Sequence, residues 1–157
     1  MRAHGPITPR ALLRLAAAFL FFAMLLNLAC GVGEKRSGLP AAAQSSIDNI
    51  TGDMARADYE KIYADAAEEW RRTASAGESR ANLERIRNAL GNVISRAQLS
   101  AQERENSGGD LVAGRMLVVN YNTKFERADA IETFTLIERS GRWLLARYAV
   151  NSNALRQ

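Results

Sequence analysis

The chain has 157 residues, with 21 Lys and Arg against 17 Asp and Glu, one His and one Cys. That length suits one domain with an appendage, and a charged share of 24% excludes a bundle of membrane spans. No internal period shows, which excludes solenoids and propellers.

The first 29 residues stand apart. They carry Arg2, His4, Arg10 and Arg14, no acid, and an unbroken apolar run from Leu15 to Leu26. A basic start, a short apolar core and small residues ahead of a cleavage point have the layout of a signal peptide, expected over residues 1–29. The run is short for a membrane span, although extension to Val32 gives a marginal one and an uncleaved anchor as the alternative. The stretch Leu26-Asn27-Leu28-Ala29-Cys30-Gly31 resembles a bacterial lipoprotein signal, in which a small residue precedes a lipidated Cys. Asn27 stands where an aliphatic residue is usual. A lipidated Cys30 is preferred here over plain secretion, because a lone thiol has no partner for an internal disulfide. The expected place is therefore the cell envelope, anchored at a membrane and facing the periplasm or the exterior.

Without the leader, 18 basic and 17 acidic residues remain. A nucleic-acid binder needs a basic face that displaces counterions, and this balance offers none. The only His also leaves with the leader. Ser-His-Asp and Cys-His catalysis, and zinc sites of the Cys/His kind, are excluded from the rest. No cofactor is expected.

Residues 30–40 hold three glycines and end on Pro40, a tether composition. The domain is expected over 41–157. A first helix begins at Ala41, with Ile47, Ile50 and Met54 at helical spacing, and Gly52 weakens or divides it. Asp58 is placed to cap a second helix, on which Tyr59, Ile62, Tyr63, Ala66, Ala67 and Trp70 form one apolar stripe. Ser79 is placed to cap a third, with Leu83, Ile86 and Leu90 on one side and Gly91 as its stop. The apolar period then changes to two. Val93 to Gln102 predicts a half-buried strand with its odd positions inward, followed by a turn at Asn106 to Gly109. Strands follow over Leu111–Asn122, Ala130–Glu138 and Arg142–Asn151, the last two joined by an Arg139-Ser140-Gly141 turn. Three helices and then four hairpin-linked strands predict an α+β fold, with the helices packed on a curved antiparallel sheet.

Two stretches, Asp58-Tyr59-Glu60-Lys61-Ile62-Tyr63 and Glu132 to Trp143 with its Gly-x-Trp, carry a resemblance. They are similar to the nuclear transport factor two-like, or cystatin-like, α+β domains, and to a family of small secreted bacterial domains of unknown function with that fold. The resemblance implies a cone with a pocket. It also implies that catalytic relatives use Asp/His pairs in the cone, for which this chain has no His.

Candidate pocket residues are Tyr59, Tyr63, Tyr121, Phe134, Glu132 and Tyr148, set against plain core filling. Glu132 and Glu138 flank an apolar strand and are expected on its solvent side. Arg115 is expected at a solvated strand end. Asn106 to Asp110 and Asp129 offer oxygens without the spacing of a calcium loop. The expected function is a non-catalytic envelope domain that binds a small apolar ligand or a protein partner. One alternative is a cone-pocket enzyme using Asp, Glu or Tyr, marked by a buried acid facing a tyrosine hydroxyl. The other is a structural unit, a homodimer for instance.

Overall fold

The computed structural model describes residues 38–106 and 114–156. The leader, Cys30 and most of the tether lie outside them, as does most of the stretch from Asn106 to Asp110.

Among the described residues four helices precede the sheet, where the sequence pattern predicts three. Helix α1, Ala41–Arg56, starts on the Pro40 carbonyl, which accepts from the amides of Ala43 and Gln44 at 2.8 and 3.0 Å. It runs through Gly52 without a break. It ends where Ala57 turns left-handed at φ 60°, and the Asp58 amide closes back on the Asp53 carbonyl at 2.9 Å. The stripe beginning at Tyr59 is split into α2, Tyr59–Asp65, and α3, Glu68–Thr73. Ala66 and Ala67 between them are extended, and the Ala67 amide donates to the Leu145 carbonyl at 2.9 Å. Two small side chains let the backbone approach a strand closely, and that hydrogen bond replaces the helical one.

Helix α4, Ala76–Leu90, is capped by Ser75 rather than Ser79. The Ser75 hydroxyl accepts from the Glu78 amide and the Glu78 carboxylate accepts from the Ser75 amide, a capping box written as Ser75-Ala76-Gly77-Glu78. Ser79 is instead buried and accepts from the Trp70 indole Nε1 at 2.8 Å, tying α3 to α4. Asp58 makes no capping hydrogen bond through its side chain.

The sheet is an antiparallel meander in the order β1-β2-β3-β4, with β1 Val93–Asn106, β2 Gly114–Phe125, β3 Asp129–Arg139 and β4 Arg142–Asn151. A 3-10 turn, Asn153–Leu155, follows. The β3–β4 turn places both Ser140 (φ 51°) and Gly141 (φ 77°) in the left-handed region, the two-residue geometry that matches strand twist. Pairing of β1 with β2 is irregular at two places, between Val93 and Ser95 and between Gln98 and Ser100. Each irregularity inserts one extra residue and reverses the alternation of the strand. The positions that share the inner face of β2 are therefore Val93, then Arg96 and Gln98 opposite Thr123 and Tyr121, then Ala101 and Glu103 opposite Val119 and Leu117, although Gln98, Ala101 and Glu103 lie exposed on that face. The extra residues, Ile94 and Leu99, stay 59% and 55% exposed. The strict odd-in pattern predicted for β1 fails for this reason.

One buried cluster joins helices and sheet. It includes Ile47, Tyr59, Ile62, Trp70, Leu83, Ile86 and Leu90 from the helices, with Val119, Phe134, Leu136, Trp143 and Leu145 from the strands. Leu39, at the end of the tether, also packs against it. Helix α1 meets β4, the last strand of the chain. Among the described residues no helix is long and apolar enough to cross a membrane.

Candidate functional site

Phe134 stands near the middle of β3 with no exposed surface. It is flanked by Tyr121 of β2, edge-on at 5.8 Å between ring centroids, and by Tyr148 of β4, tilted at 5.0 Å. Alternation along β3 puts Glu132 on the same inward face, two residues before Phe134. The predicted solvent-side position of Glu132 is thus overturned: it is fully buried. Glu138 is partly exposed and pairs with Arg115 at 2.8 Å.

Four donors converge on the Glu132 carboxylate. Oε2 accepts from Arg96 Nε and from the Thr123 hydroxyl, each at 2.5 Å. Oε1 accepts from Arg96 Nη2 at 3.0 Å and from the Tyr148 hydroxyl at 2.5 Å. A carboxylate offers about four lone-pair directions, so these donors occupy all of them. The donors come from three strands: Arg96 from β1, Thr123 from β2 and Tyr148 from β4. Burial opposes the charge on Arg96, but the hydrogen bonds to Glu132 and its charge outweigh that, and the guanidinium pKa is raised. Burial, followed by the charge of Glu132, holds the Tyr148 phenol well above its ordinary pKa.

Arg96 is the member of this cluster that the sequence pattern misses. Placed by strict alternation it faces water, and only the irregularity after Val93 turns it inward. The sequence carries no Gly or Pro at Ile94 to announce the bulge.

Beside this cluster lies a cavity of about 120 Å³. Met54 of α1, Tyr59 of α2, Leu83 and Ile86 of α4 and Phe125 of β2 form its apolar wall, with Arg87, Arg96 and Tyr148 at its polar margin. The candidate residues therefore divide. Tyr59 and Tyr148 line the cavity, while Glu132 meets it only through Arg96 and Tyr148. Tyr121 and Phe134 are core residues beside the cluster. Tyr63 packs against the core, partly buried, and lines no wall of the cavity. The Tyr121 hydroxyl is buried without a hydrogen-bond partner among the described residues. Burial raises its pKa, with the nearby Gln44 amide acting in the opposite sense.

Arg115 is more engaged than a solvated strand end. It bridges Glu103 at 2.6 Å and Glu138 at 2.8 Å, and lies 5.4 Å over the Trp143 ring. Among the described residues no group of three or more His, Cys, Asp or Glu is placed to hold a metal ion.

A protein family described only as of unknown function matches residues 48–148, a stretch that contains the whole Arg96–Thr123–Glu132–Tyr148 cluster. The chain belongs to DUF4019. No curated protein matches it. The DUF4019 match runs from within α1 to Tyr148 in β4, so it spans the cavity wall as well as the cluster.

Proposed function

We propose that this DUF4019 chain is a non-catalytic envelope domain, exported by its leader and held at a membrane through Cys30, that binds a small apolar ligand. The observation that carries the reading is the cavity between α1, α4 and the sheet, walled by Met54, Leu83, Ile86 and Phe125. A concave apolar space with a few polar groups at its margin is the usual form of a small-ligand site. Its volume approaches the roughly 150 Å³ that admits a benzene molecule. The order of helices then meander, with the cavity on the inner face, supports a nuclear transport factor two-like arrangement.

One observation favours the enzyme reading. Glu132 is a buried acid facing a tyrosine hydroxyl, the arrangement that alternative predicts. The saturation of its oxygens weighs against catalysis, because a general base needs an open acceptor within reach of a substrate proton. Glu132 has to release Arg96, Thr123 or Tyr148 before it accepts another.

Titration of the purified chain with benzene or toluene, followed by amide chemical shifts, tests the proposal. Shifts confined to Met54, Leu83, Ile86 and Phe125 support it. Turnover of any compound that is lost in Glu132→Gln, while the melting temperature is kept, establishes the enzyme reading instead.

A further inference from the structure

The charge of the cavity margin narrows the ligand class. Two arginines line the cavity and no Asp or Glu does. Arg96 is neutralised by its two hydrogen bonds to Glu132. Arg87 is not: its Nη1 donates to the carbonyls of Met54 and Ala55 at 2.8 and 3.0 Å. It has no salt bridge among the described residues. The neighbouring acid, Glu126, accepts from the Asn92 backbone amide at 2.9 Å and from its Nδ2 at 3.0 Å, and its charge acts on Arg87 without contact. The cavity therefore combines an apolar wall with one guanidinium whose charge lacks a counterion in contact.

We propose that the cavity binds a small monocarboxylate with a compact apolar body, of the size of benzoate, its carboxylate meeting Arg87 and its body lying against Met54, Leu83, Ile86 and Phe125. This rests on the small-ligand reading above and adds the charge. A guanidinium at a partly desolvated margin attracts a carboxylate and repels an ammonium. A cavity of about 120 Å³ takes a ring or a short branched chain and excludes a long acyl tail unless that tail leaves through the mouth.

Isothermal titration of the full chain at pH 7 with benzoate, benzyl alcohol and benzylamine tests the inference. The three share a ring and differ in charge. The expected result is benzoate at least tenfold tighter than benzyl alcohol, with benzylamine weakest. In Arg87→Gln the benzoate affinity falls to that of the alcohol, while the alcohol is unaffected. Arg87→Lys restores part of the preference, which shows that charge and not a disturbed helix end is responsible. Thr51→Phe, which places a ring in the cavity from a partly exposed position on α1, removes binding of benzoate and benzyl alcohol alike. Equal affinity for benzoate and benzyl alcohol overturns the carboxylate inference and leaves the apolar-ligand reading standing. Absence of binding by all three at millimolar concentration overturns both.

Discussion

Removing the Glu132 carboxylate strands Arg96, Thr123 and Tyr148 around a buried void. Breaking a buried pair from one side is severe because the remaining charge is left uncompensated, and Glu132→Ala should cost about 3–5 kcal/mol in urea unfolding. The double replacement Arg96→Met with Glu132→Leu should recover most of that, since an apolar pair of similar volume removes both charges together. If Glu132→Ala unfolds like wild type, the cluster is not part of what holds the sheet. Tyr148 gives the same cluster a pH signature. Its folded pKa lies above its unfolded value near 10, so its contribution is fully present below about pH 10 and is lost as the pH climbs toward the folded value. The urea midpoint should therefore fall above about pH 10 in wild type and less steeply in Tyr148→Phe. Trp143 and Tyr63 make a contrasting pair. Trp143 is buried, with Arg115 over its ring, and Trp143→Ala should cost about 3–5 kcal/mol. The Tyr63 hydroxyl makes no hydrogen bond among the described residues, so Tyr63→Phe should stay well under the roughly 1 kcal/mol of one such bond. Thermal melts of both variants check this. None of these partnerships was legible residue by residue. Glu132 and Arg96 lie 36 positions apart, and their contact depends on a bulge that no residue type announces.

At the level of elements, local chemistry was readable where it was self-contained. The Leu83, Ile86 and Leu90 spacing with Gly91 behind it marks α4, and the Ser140-Gly141 pair marks the β3–β4 turn. The Ser75/Glu78 box is equally present in the sequence, while Ser79, the expected cap, serves Trp70 with its hydroxyl instead. Ser75→Ala should cost about 1 kcal/mol, seen as a lower melting temperature, whereas a capping role for Ser79 predicts no loss there. Gly141→Ala tests the turn. A Cβ at that position meets no atom within 4 Å, so the cost is purely the left-handed backbone, about 1–2 kcal/mol. What sequence period could not show is the division of α2 from α3. The Tyr59-to-Trp70 stripe keeps its helical spacing, and partners outside that period, the Leu145 carbonyl on the Ala67 amide and the Arg71 guanidinium on the Ala66 carbonyl, hold the break open.

On the scale of the whole chain, the helices-then-meander order followed from the switch in apolar period from about 3.6 to 2, and that order is what the structure has. The leader makes its own prediction. Expressed in a Gram-negative host, the mature protein should begin at Cys30 and carry diacylglycerol and acyl mass by intact mass spectrometry. An unprocessed Met1 in the membrane fraction overturns that expectation. A further consequence follows from the meeting of α1 with β4. The first helix of the domain has its most extensive sheet contact with β4. During synthesis, Ile47 and its neighbours emerge from the ribosome about a hundred residues before Leu145 and Tyr148 can cover them. A chain halted at Arg139 leaves the first helix without that strand and should show no cooperative unfolding transition. Such a polypeptide stays threadable until β4 is complete.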